Sequence, residues 1–167
     1  LTMEGPEVTE APNLGCLQAV GGELLITQTA LPHIDLRSLK SVGLALNIPD
    51  NAEAHVLAAP ALETVGLFTV IRSNAVLESI DMGSLQLARE FPPDTANSNP
   101  YAFQAERNPS LSELKLDRLE RTQGDLDLNE NDALIDLHFP ALTRVEGDLR
   151  IDNLSALQLF SVPALEE

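Results

Sequence analysis

Residues 140–167 read PALTRVEGDLRIDNLSALQLFSVPALEE, a stretch that opens on Pro-Ala-Leu and reopens on it 23 residues later, at Pro163. A phrase that restarts at a fixed distance marks a repeat architecture, and the period must be found before helices or strands are assigned. Working outward, Val42 and Val65 stand 23 residues apart, as do Thr122 and Val145, while Val20 precedes Val42 by 22. Leu17, Leu39, Leu62, Leu85, Leu119, Leu142 and Leu165 occupy the position three residues before this mark. Leu85 and Leu119 are 34 apart, which is one period with eleven residues added. The addition falls at 88–100, AREFPPDTANSNP, because the register resumes at Tyr101.

Within each copy, every second residue after the mark is apolar or small: Leu24 and Ile26, Leu46 and Ile48, Leu67, Thr69 and Ile71, Tyr101, Phe103 and Ala105. Leu126 and Leu128, then Leu149 and Ile151, continue the series. A period of two with one apolar side is the strand signature. Gly22, Leu44, Gly124 and Gly147 precede these strands on the same inward register. A second apolar cluster follows in each copy, as in Leu77, Ile80 and Met82 or Leu134, Leu137 and Phe139. One copy cannot bury its apolar side alone. Copies stacked at roughly 4.8 Å form parallel sheets around a continuous core. The pattern predicts an all-β chain, a parallel β-helix of about six turns. Asn51, Asn74, Asn108 and Asn131 fall in one column, where stacked amides can bond up the coil and satisfy a corner. A helical reading fails, because apolar residues do not recur at three and four and Gly or Pro punctuates nearly every copy.

The recurring phrase PALxxVxGxLxIxxNxxLxxLxx, carried by PALETVGLFTVIRSNAVLESIDM (60–82) and by 140–162, resembles the repeat of the receptor L-domain family. LGCLQAVGGELLI (14–26) is similar to that family's first strand. The resemblance covers about residues 14–165. It implies a right-handed β-helix of leucine-rich-repeat kinship, extracellular or cell-surface placement, and a binding or structural role without catalysis. The receptors of this family pair the early cysteine in a disulfide and flank the domain with cysteine-rich modules. Cys16 is the chain's single cysteine, so the bacterial or fungal surface-protein type is the closer resemblance.

The domain reading is 1–13 as an N-terminal cap or linker and 14–167 as the β-helix, with an insertion loop near 88–100. The chain starts at Leu1 and its closing PALEE begins a seventh turn, so an end-to-end or edge contact with a further domain or a second copy is expected. Against 26 Asp and Glu stand 10 Lys and Arg, a formal net charge of -16. Such a field repels phosphate backbones and anionic headgroups, so neither nucleic acid nor membrane insertion is expected. No apolar run reaches the roughly 18 residues of a spanning helix.

No nucleotide-binding, zinc-protease or serine-hydrolase motif is present, and no cofactor is expected. His33, His55 and His138 do not fall together in one repeat column with carboxylates around them. Asp125, Asp127, Asp148 and Asp152 form the cluster an enzyme would need, and Asp125 and Asp148, stacked at one outward position, are the weak candidates for a metal. Arg150 stacks beside Asp127 and offsets part of their repulsion.

On the outward face of the first sheet, the middle turns present Ala45, Phe68, Val70 and Ala102 together, and an exposed apolar patch usually marks a contact site. The insertion lies beside it, and long loops on rigid scaffolds gather binding residues. The expected recognition surface is therefore Phe68, Val70, Arg72 and Ala102 with the loop residues Arg89, Glu90 and Phe91, taking a protein or glycan. The competing expectation is that Phe91 and the Pro92-Pro93 segment fold back over the patch, and Tyr101 falls on the inward side. A cell-envelope spacer without ligand is the alternative function, and a carbohydrate-active β-helix enzyme is a third.

Overall fold

The computed structural model describes residues 1–11, 13–88 and 101–166. The chain winds as a β-solenoid of about six turns in which the strands of successive turns pair in parallel. A front sheet holds seven strands, Thr2–Glu4, Leu24–Thr27, Ala45–Pro49, Phe68–Arg72, Tyr101–Glu106, Asp125–Asp127 and Leu149–Arg150, stacked in chain order. A narrow corner sheet of six two-residue strands runs from Ala19–Val20 to Arg144–Val145. The back is built from His33–Asp35, Val56–Ala58, Ser79–Asp81 and Glu113–Lys115, continued by the pair Asp136–His138 and Leu159–Ser161. No α-helix occurs among the described residues, and a single 3-10 turn spans Leu14–Cys16.

The 23-residue period is what makes this stack possible. Ala45 lies opposite Phe68, Leu46 opposite Thr69 and Ile48 opposite Ile71, so residues one period apart point the same way. Inward columns of like residues result: Leu24, Leu46, Thr69, Phe103 and Leu126 in the front sheet, and Ile34, Leu57, Ile80, Leu114 and Leu137 at the back, all buried. Val42, Val65, Ala88 and Thr122 close the interior at the corner. Each fully buried Leu, Ile or Phe contributes about 1.5–3 kcal/mol. The core therefore runs along the coil axis as one continuous rod.

After the front strand every turn takes the same sharp corner. Gln28, Asp50, Ser73, Arg107, Glu130 and Asn153 all adopt φ between 53° and 57°, the left-handed region. The Asn column follows this bend directly. Asn74 accepts from the Asn51 backbone N–H at 2.9 Å and donates to the Ile48 carbonyl at 3.0 Å and to Asn108 Oδ1 at 3.1 Å. Asn51, Asn108 and Asn131 repeat the arrangement, and the Thr29 hydroxyl donates to Asn51 Oδ1 at 2.7 Å where the ladder starts. The side chains expected to serve corners do so: the four amides are buried and hold the backbone that the bend takes out of sheet pairing.

Two register expectations are corrected. Leu44 does not join the core but is 44% exposed, and Leu67, one period on, is only partly buried and outside the core, because front-sheet pairing begins one residue later, at Ala45 and Phe68. Tyr101 is not inward either. It lies opposite Asp125 while Phe103 lies opposite Leu126, so three residues of one strand span two of its neighbour. This bulge turns Tyr101 outward and leaves Ala102 in the core.

Candidate functional site

The outer face of the front sheet brings most of the sequence-derived candidates together. Along the outward columns stand Ala45, Phe68 and Asp125, then Asn47, Val70, Gln104, Asp127 and Arg150, then Pro49, Arg72 and Glu106. Side chains in such columns sit one strand spacing apart and cover one another.

The apolar patch in the middle turns is smaller than its residue types suggest. Ala45 is 4% exposed, Val70 6% and Ala102 0%. Ala102 is displaced from the face by the bulge, and Ala45 and Val70 are buried among the side chains beside them, Phe68 next to Ala45 and Asn47 and Gln104 either side of Val70. Phe68 remains partly exposed and Arg72 is exposed at the far edge of the same strand. Arg89, Glu90, Phe91 and the rest of 89–100 lie outside the described residues, and with them the question of whether the loop extends or covers the patch.

In the later turns the face is a polar network. Asp125 is 6% exposed, and its carboxylate accepts from the Asp148 backbone N–H at 2.8 Å and from Arg150 Nη1 at 2.8 Å. Arg150 Nη2 reaches Asp148 at 2.7 Å, so one guanidinium bridges the two stacked carboxylates where a metal would have to sit. The hydrogen bond to Asp148, then the charge of Asp125, raises the Arg150 pKa above its ordinary value. The same guanidinium stands 5.8 Å from the centre of the Tyr101 ring, within cation–π range. Gly147 makes this possible. A Cβ there would come 2.3 Å from the Asp125 carboxylate oxygen and 2.6 Å from the Asp125 nitrogen, so only glycine leaves room for the buried acid.

Asp127 is 3% exposed and lies opposite Arg150 in the sheet, yet its bonds are to Gln104 Nε2 at 3.3 Å and to the Asn129 N–H at 3.3 Å. Gln104 also donates to Glu106 at 3.1 Å. Asp152 is exposed, and its backbone N–H donates to Asn129 Oδ1 at 2.8 Å. Asp125 and Asp127 are thus built into the sheet by neighbours, while Asp148 and Asp152 face solvent. Among the described residues no group of three or more His, Cys, Asp and Glu is arranged to hold a metal ion. His55 bonds Glu78 at 3.1 Å on the opposite side of the coil, far from these acids in the sheet order.

Sequence reasoning placed Gln104, Asp125, Asp127 and Arg150 on one face but put Tyr101, which completes it, on the inward side. Gln104 was legible from its column, shared with Val70 and Asp127. The signal for Tyr101 was hidden by the bulge beside the insertion. No family model, curated protein or solved structure matches the chain.

Proposed function

We propose that the chain is a noncatalytic extracellular or cell-surface recognition module that takes a protein or glycan on the outer face of its front sheet. The observation that carries this reading is the third turn, where one strand of a broad sheet presents a partly exposed Phe68 ring at its start and an exposed Arg72 at its end. Aromatic and arginine side chains carry most of the energy at recognition surfaces. The resemblance of the repeat to receptor L domains supports the same role and the same placement. Acids already paired to Arg150, Gln104 and backbone N–H groups favour a face that holds its shape over one that moves protons.

A screen of glycans and extracellular proteins tests the reading with the parent chain beside Phe68→Asp and Arg72→Glu. Both variants change side chains that reach solvent, so circular dichroism is expected to match the parent. A ligand held by the parent and lost by both variants supports the module. Equal binding by all three removes this face. The burial of Ala45 and Val70 favours a second reading, an envelope spacer with no ligand, and that reading predicts an empty screen.

A further inference from the structure

In turns two to five an asparagine directly follows the left-handed corner residue, and that asparagine is buried and bonded into the ladder. The sixth turn departs from this rule by one residue. Its asparagine, Asn153, is itself the corner residue at φ 53°, and Leu154 takes the inward place. Asn153 is exposed, and its amide has no hydrogen-bond partner among the described residues. Two positions on stands Ser155, also exposed, so the corner reads Asn153-Leu154-Ser155. An asparagine followed by any residue but proline and then serine or threonine is the acceptor triplet for N-linked glycans, which lies on surface loops of secreted proteins.

We propose that Asn153 is an N-glycosylation site. The inference rests on the extracellular placement proposed above, though not on any ligand of the front sheet. In the transfer, Asn153 Nδ2 bonds to the anomeric carbon of an oligosaccharide carried on a lipid pyrophosphate. The sugar–oxygen bond breaks, the lipid pyrophosphate leaves with the electron pair, and the amide gives up one proton to the transferase's base. The chain's other near-match sharpens the assignment. Asn108-Pro109-Ser110 has the hydroxyl residue in place, but proline occupies the middle position and the Asn108 amide is committed to Ile71 and Asn131 inside the coil. Among the described asparagines, Asn153 alone combines the triplet with solvent exposure and an uncommitted amide.

The test is secretion of the full chain, behind a signal peptide, from a eukaryotic host that attaches N-linked glycans, followed by intact mass and peptide mass spectrometry. A glycan mass on the peptide containing Asn153 is expected, lost in Asn153→Gln and in Ser155→Ala and retained in Ser155→Thr, with Asn108 unmodified throughout. An amide-cleaving glycosidase should remove the mass and leave aspartate at 153. A folded, secreted chain whose Asn153 peptide is unmodified overturns the proposal, as does a glycan that survives Ser155→Ala. An empty ligand screen on the deglycosylated chain would count against the recognition surface alone, since the mass shift is read without any ligand.

Discussion

Thr69 stands in an interior column between Leu46 and Phe103, and its hydroxyl is buried without a hydrogen-bond partner. A desolvated hydroxyl with nothing to bond is worth less than a methyl of the same shape. Thr69→Val is expected to raise stability by about 1–2 kcal/mol, read as a higher urea midpoint at unchanged slope. At the opposite extreme of exposure, Arg37 grips the Asp35 carboxylate through Nε at 2.9 and 2.8 Å and through Nη2 as well. These bonds, against a smaller opposing effect of burial, hold Asp35 below its ordinary value of 3.8. A carboxylate lowered by folding stabilises above its unfolded pKa, and that contribution fades as pH falls through the lowered folded value. Arg37→Gln should therefore return the Asp35 titration, followed by carboxyl-carbon NMR, toward 3.8. The accompanying loss of stability should be small at neutral pH, because the pair faces water, and vanish in acid.

Among the elements, the amide ladder is the one whose loss the fold would feel most. Asn74→Ala leaves the Asn51 N–H without its acceptor and removes the amide donor from the Ile48 carbonyl, both inside the coil, while the Asn108 oxygen keeps the Asn74 backbone N–H. Unmade buried hydrogen bonds cost about 1–3 kcal/mol each, so the variant should lose about 2–4 kcal/mol in equilibrium unfolding once partial relaxation is allowed for. The ladder was legible in the sequence because it needs a residue type at a period, and a column of asparagines supplies both. So was the inward face of the coil, since Leu24, Leu46 and Ile48 follow a period of two. The bulge at Tyr101 was not legible. A two-residue alternation restarts in either phase after an insertion, and no residue near 101 says which phase is right. Burial on the outer face was also out of reach, because whether Val70 or Asp127 meets water depends on the sizes of neighbours one turn above and below. The bridging of Asp125 and Asp148 by Arg150 shows the same limit. Its column pointed to Asp127, whereas a long side chain reaches diagonally to the acids that need it.

For the whole molecule, stability is a sum of nearest-neighbour terms along one axis, so no distant packing compensates a weak turn. The interior residues of turns two to five are buried, while Val145, Leu149, Ile151, Leu154, Leu157 and Val162 in the sixth are only partly so. Native-state hydrogen exchange is expected to show the highest protection at amides such as Leu46, Ile71 and Leu126. Protection should be lower across 144–162, in a gradient and not a step. Uniform protection along the coil would contradict the nearest-neighbour picture.

Leu87–Ala88 and Tyr101–Glu106 are each paired on both sides, to Thr64–Val65 and Arg121–Thr122 in one case and to Phe68–Arg72 and Asp125–Asp127 in the other. The two ends of the added stretch are thus clamped by neighbours that belong to other turns, and the period recovers on its far side. At this corner the length of the chain is uncoupled from the geometry of the coil, and loop closure grows costlier only with the logarithm of length. The position is a natural graft point, where a foreign peptide could replace 89–100 and be held between two ends of fixed spacing.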